Sequence, residues 1–139
     1  MSVHVTDQQT FIPRAKAACR RAASAVLGDR TVVVALVDDK TIAEVHGRFL
    51  DDPTPTDVIS FPPGEIVVSA QTALREARVR GIAPIHELTL YVVHGALHLQ
   101  GHSDRSPKAR RRMRAAERRV LDSLGLGDVF GAPKHRGRS

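Results

Sequence analysis

The chain has 139 residues, 42% of them hydrophobic, and carries 21 Lys/Arg against 15 Asp/Glu for a net charge of +6. That is about one domain's length with apolar material for one core, and it excludes collagen-like, disulfide-stapled and wholly disordered classes. Aromatics are only 4%, so the core must be aliphatic, and a single cysteine, Cys19, forms no internal disulfide, which fits a reducing compartment.

No run reaches the roughly 18 apolar residues of a membrane span, and the polar stretch Met1–Thr10 lacks a signal peptide's apolar run. A cytoplasmic protein without membrane contact is expected. Val3–Val5 reads as the start of an edge strand. Pro13 suits a helical first turn, with Ala15–Leu27 continuing the helix and Gly28 as its C-cap. Thr31–Val37 (TVVVALV) is short, apolar and β-branched, the signature of a buried strand. Asp39 or Thr41 then caps a helix over Ile42–Phe49. After the turn cluster Asp51–Pro55 come two short strands, Asp57–Phe61 and Glu65–Val68, joined by a tight Pro62-Pro63-Gly64 turn. Ser69 caps a helix over Ala70–Arg80, closed by Gly81. Pro84 opens another that runs to Gln100 and stops at Gly101. Ser106 and Pro107 start a last one, to about Leu124. Roughly four strands and five helices in mixed order predict one α+β domain over residues 1–126, helices layered on a small sheet, followed by a mobile basic tail, 127–139.

Charge is unevenly placed. Residues 1–104 hold 10 Lys/Arg against 12 Asp/Glu, a net of −2, whereas residues 105–139 hold 11 against 3, a net of +8. A basic C-terminal quarter on a near-neutral body points to a polyanion, most simply nucleic acid.

Histidines supply the chemistry. Three stand in one string, His94-Gly-Ala-Leu-His98-Leu-Gln-Gly-His102-Ser-Asp104. On a strand, His94 and His98 would stand about 13 Å apart, too far for one ion. On a helix, positions i and i+4 are neighbours with Cβ atoms about 5–6 Å apart, and two imidazoles reach one metal. The length of Pro84–Gln100 favours the helix, with Leu90, Val93 and Leu97 as its core-facing stripe. Gly101 lets the chain turn back, so a third ligand arrives from the loop: Asp104, a competent oxygen donor for zinc, or its rival His102. Three protein ligands leave a fourth position for water, whose pKa falls toward 7 on the metal, a hydrolytic design. The zinc-peptidase pattern has Glu directly after its first His. Gly95 stands there, which argues against a peptidase.

At these residues the chain resembles the YbeY family, metal-dependent endoribonucleases of bacterial ribosomal RNA maturation. The family's signature, His-Gly-x-Leu-His-Leu-x-Gly followed by a short loop to a third histidine, is matched in register by His94-Gly95-Ala96-Leu97-His98-Leu99-Gln100-Gly101. Pro55-Thr56-Asp57-Val58-Ile59-Ser60-Phe61 matches a second element with one conservative change, and Leu36–Asp39, Gly64–Ser69 and Glu87-Leu88 look like further counterparts. The resemblance covers roughly residues 30–126. It implies a zincin-like domain with one zinc on His94, His98 and Asp104, the last standing where the family has its third histidine, and with His102 beside the metal rather than on it. It also implies single-strand-specific RNA cleavage in maturation of small-subunit ribosomal RNA and in ribosome quality control. Leu50 occupies the place of an arginine thought to aid cleavage, with Arg48 two residues away, and this departure leaves a second expectation: a non-catalytic, metal-containing RNA-binding assembly factor.

Residues 105–120 hold eight Lys/Arg and one acid. On a helix, Met113, Ala116, Val120 and Leu124 form a core stripe, while Arg111, Arg114 and Arg118 recur on another face where they can follow an RNA backbone. Thr56 and Ser60 are placed for phosphate contact or for satisfying backbone groups. Asp38, Asp39 and Asp57 read as caps and turn residues rather than as a carboxylate metal site. With no P-loop and no GxGxxG, no nucleotide cofactor is indicated.

Overall fold

A computed structural model describes residues 2–50 and 56–130. Its elements run β1 (Ser2–Asp7), α1 (Ala15–Leu27), β2 (Thr31–Val37), α2 (Asp39–Leu50), β3 (Val58–Phe61), β4 (Glu65–Ser69), α3 (Ala70–Arg80), α4 (Pro84–Leu99) and α5 (Pro107–Ser123). The four strands form one mixed sheet in the order β1-β2-β4-β3. β1 and β4 lie parallel to β2, while β3 runs antiparallel to β4 at the sheet's end. Among the described residues the chain has the expected α+β architecture of four strands and five helices.

Two cores follow from the sheet's two faces. The larger collects β2 and β4 side chains with the alanines and Cys19 of α1, small residues of α3, the apolar residues of α4 and the inner face of α5. A smaller one, Val37, Ile42, Ile59 and Val67, lies under α2 on the opposite face. α4 is the central element: every residue from Glu87 to Leu97 is buried. The predicted stripe of Leu90, Val93 and Leu97 is thus part of a helix enclosed on all sides, as its apolar sequence requires.

Three local expectations are corrected. Pro13 stands outside α1, because the Gln9 side chain accepts from Phe11 N and Ile12 N and Arg14 turns left-handed (φ 59) before the helix begins. α2 starts at Asp39 rather than Ile42, since the Asp38 carboxylate accepts Thr41 N–H at 2.8 Å and so caps the first turn itself. On α5 the buried residues are Met113, Ala116, Glu117 and Leu121. The predicted stripe members Val120 and Leu124 are only half-buried. Of the expected tail, residues 131–139, which include Lys134, Arg136 and Arg138, lie outside the described residues, as do the turn 51–55 and the side chain of Leu50. Among the described residues no helix is long and apolar enough to cross a membrane.

Candidate metal centre

α4 carries His94 and His98 one turn apart, and their rings meet edge to face with centroids 4.7 Å apart. The helix ends at Leu99, and Gly101 adopts φ +113, a conformation that costs a side chain dearly. This turn brings Asp104 back over the last turn of α4. His94 Nε2 stands 3.1 Å from His98 Nε2, and Asp104 Oδ2 lies 3.5 Å from the second and 4.0 Å from the first. The ligand atoms of all three residues fall within 4.8 Å of one another. Donors around a tetrahedral ion at bond lengths of about 2.0–2.1 Å stand roughly 3.3 Å apart, so nitrogen, nitrogen and oxygen converge as a divalent cation requires.

A fourth residue prepares this geometry. Glu117 on α5 is buried, and its Oε2 lies 2.5 Å from His94 Nδ1. With Nδ1–H donated to a carboxylate, Nε2 presents its lone pair toward His98 and Asp104, the arrangement that orients a metal-binding imidazole. Sequence reasoning missed Glu117, although a signal was present: it is the single acid among the eight Lys/Arg of residues 105–120. Burial pushes the His98 imidazole below its ordinary range, helped by His94 and opposed by Asp104 and Glu117. A ring held neutral is ready to ligate.

The loop is held from outside as well. Arg110 Nη1 donates to the Asp104 carbonyl at 3.1 Å. Arg30 donates to the carbonyls of Leu99 (3.2 Å) and Pro63 (2.6 Å), tying the end of α4 to the β3–β4 turn.

The triad opens into a cleft of about 400 Å³, walled by His94, His98 and Asp104 on one side and on the other by Thr56 to Ser60, Pro62 and His46 of α2. Thr56 and Ser60 are therefore at the cleft, but the Ser60 hydroxyl donates to the Gly95 carbonyl at 2.7 Å and so braces β3 against α4. His102 lines a different cavity, with Gln100, Gly101, Ser103, Ala109 and Arg112, and stands apart from the three converging donors. Arg48 is exposed on α2 and is not among the residues lining the cleft; His46, which sequence reasoning did not single out, is. Arg111 and Arg118 are exposed and Arg114 is half-buried, all on the helix that presents Glu117 to His94.

Of the three aspartates read as caps and turn residues, Asp38 caps α2, while Asp57 braces the start of β3 and Asp39 caps no helix but joins α2 to β4 and α3. Asp57 Oδ1 accepts Val58 N–H at 2.8 Å. Asp39 accepts from Ser69 Oγ, Thr72 Oγ1 and Arg75 Nη1. Burial raises the Asp39 carboxyl, but the Thr72, Ser69 and Arg75 donors outweigh it and hold the group below the usual carboxylate range. Cys19 is fully buried, and burial, with Asp7 nearby, pushes its thiol up to about 12, so it is a core residue rather than a reactive thiolate.

Comparison with known proteins places this geometry in context. The sequence model described as Endoribonuclease YbeY matches residues 3–125. The chain is 44% identical over 117 residues to the Endoribonuclease YbeY of Rhodopirellula baltica, covering 76% of this chain and 60% of that protein. It is 34% identical over 133 residues to the Endoribonuclease YbeY of Azorhizobium caulinodans, covering 84% of each. The fold is similar to the solution structure of TM1509 from Thermotoga maritima, with a TM-score of 0.59 at 24% identity over 97% of this chain and 100% of that one. The family match spans nearly all the described elements, and the chain belongs to the YbeY endoribonuclease family.

Proposed function

We propose that this chain is a metal-dependent endoribonuclease that cuts single-stranded RNA, with zinc held by His94, His98 and Asp104, and that it acts in the cytoplasm on small-subunit ribosomal RNA. The observation that carries the reading is the convergence of two imidazole nitrogens and a carboxylate oxygen at one point, backed by Glu117, at the wall of an open cleft. A purely structural metal is normally closed by four protein ligands, whereas three donors facing an open cleft leave room for substrate. The non-catalytic reading therefore has less support.

A divalent cation at this point supplies Lewis-acid charge to a phosphodiester and acidifies water. The chain's own residues do the rest. Glu117 fixes the His94 ring, and Arg110 holds the Asp104 loop by its carbonyl. Thr56 and His46 face the strand from the opposite wall. Arg111, Arg114 and Arg118 draw the RNA backbone onto α5 without reading sequence. Elemental analysis of untagged protein is expected to find about one zinc per chain, lost together with cleavage of end-labelled single-stranded RNA in a His94→Ala/His98→Ala variant. Cleavage surviving that double change would refute the site.

A further inference from the structure

The cleft has an aromatic border that the metal centre does not explain. Phe49, on α2, is 62% exposed; among the described residues only Val79, on α3, is a large apolar side chain left so open. The Phe49 ring meets Phe61 near edge to face, with centroids 5.6 Å apart and planes at 71°. Phe61 ends β3, and its chain neighbours Ser60 and Pro62 both line the cleft. Phe49 also follows His46 by three residues, and positions i and i+3 of a helix are neighbours on one face. Since His46 lines the cleft as well, the exposed ring adjoins it along α2, and Phe61, turned to the α2 face of the sheet, supports the ring from behind.

We propose that Phe49, braced by Phe61, is a stacking platform for one unpaired base of the RNA strand whose phosphate lies at His94, His98 and Asp104. The inference rests on the nuclease reading and adds to it a physical basis for single-strand preference. A base inside a duplex is already covered on both faces, whereas an unpaired base gains by lying on an aromatic ring, whatever its identity. The occupant's charge fits too, because the basic helix α5, which presents Glu117 to the same centre, favours a polyanion over an apolar partner. With four Phe, one Tyr and no Trp in the chain, a ring held in solvent at the edge of the candidate site is poorly explained by core filling.

The test is fluorescence anisotropy with the full chain and a short labelled single-stranded RNA, under conditions where gels show the strand intact. Phe49→Ala should weaken binding by about 5- to 150-fold, the usual worth of one stacked base. Phe49→Trp should restore it, and Val79→Ala should leave it unchanged. The salt dependence should keep its slope, since stacking releases no counterions. An abasic nucleotide scanned along the strand should, at one position, abolish the difference between wild type and Phe49→Ala. Binding by Phe49→Ala within twofold of a wild type that binds and cuts RNA would overturn the platform and leave the nuclease reading standing. A change in self-association with unaltered RNA binding would overturn it too, marking the ring as a contact between copies. Failure of the wild type to bind or cut any single-stranded RNA would overturn both readings.

Discussion

Replacing Gly95 by alanine tests how closely α4 must rest on the sheet for its histidines to be placed. A Cβ at this position would lie 2.8 Å from Ile66 Cγ2, 2.9 Å from Val58 Cγ2 and 3.1 Å from Ser60 Oγ. Carbon atoms attract best at about 3.5–4.0 Å, so the two methyl contacts are well inside repulsion. Both methyls belong to β-branched side chains, stiff at χ1, and the third neighbour, Ser60, pairs directly with Ile66 across β3 and β4. The strands have little room to yield, so the helix must lift. Overpacking of this kind costs about 1–3 kcal/mol, and loss of the 2.7 Å Ser60–Gly95 hydrogen bond adds about 1 kcal/mol. The intrinsic helix preference of alanine over glycine returns about 1 kcal/mol. The net expectation is a loss of about 1–3 kcal/mol, read by urea unfolding, or a melting point lower by about 3–12 °C.

A second variant makes the mechanism specific. Val58→Ala removes one of the two methyls in the way, so Val58→Ala/Gly95→Ala should lose less stability than the two single changes added together. Gly95→Ala as stable as wild type, or strict additivity in the double variant, would refute the close approach. The geometry also explains why no acid follows the first histidine. Gly95 faces β3 and β4, where a glutamate has no space, and not the cleft.

Further expectations follow from the same geometry. Glu117→Gln should keep the fold but weaken metal binding by about 10- to 100-fold in chelator competition, because the His94 ring loses its charged partner. Asp39→Asn should cost about 1–3 kcal/mol at neutral pH by weakening a carboxylate that joins α2, β4 and α3. Because the folded Asp39 carboxyl lies below its unfolded value near 3.8, its contribution is present above that pH and lost as pH falls through the lower folded value, so the variant should flatten the acid limb of the stability profile. Arg111→Gln/Arg114→Gln/Arg118→Gln should weaken binding to all single-stranded RNA alike and reduce the log–log salt slope by about 0.7 for each phosphate contact removed; an unchanged slope would take these arginines off the RNA path.

Much of the architecture was legible because local signals agreed with the fold. The β-branched run Thr31–Val37, the Ser69 and Ser106 caps and the Pro84 and Pro107 starts all fall where their chemistry predicts. The histidine pair was legible for the same reason, since only helical spacing brings His94 and His98 together. What escaped were relations between distant segments. Glu117 lies 23 residues from His94, and no periodicity links a lone acid on a basic helix to a ring on another one. His46 reaches the cleft because α2 packs beneath β3, which depends on sheet order rather than on its neighbours in sequence. The choice between Asp104 and His102 turned on which way the chain leaves Gly101. The loop points Asp104 at the histidines and His102 into another cavity.

The basic helix and the carboxylate at position 104 make most sense together. In the proposed site, Asp104 and Glu117 bring two negative charges to a divalent cation, one on it and one behind the His94 ring. Those charges match the ion's own, so the centre offers an incoming phosphodiester less net attraction than one whose third donor is a neutral imidazole. Electrophilic catalysis needs positive charge where negative charge develops. The helix that supplies Glu117 also carries Arg111, Arg114 and Arg118, while Arg110 on its inner side grips the Asp104 loop. In that proposed site the positive charge of α5 would offset what the two carboxylates take from the metal and keep a polyanion attracted to this helix. Charge spread along a helix would suit the proposed substrate, an RNA strand held by its backbone and a stacked base rather than by its sequence.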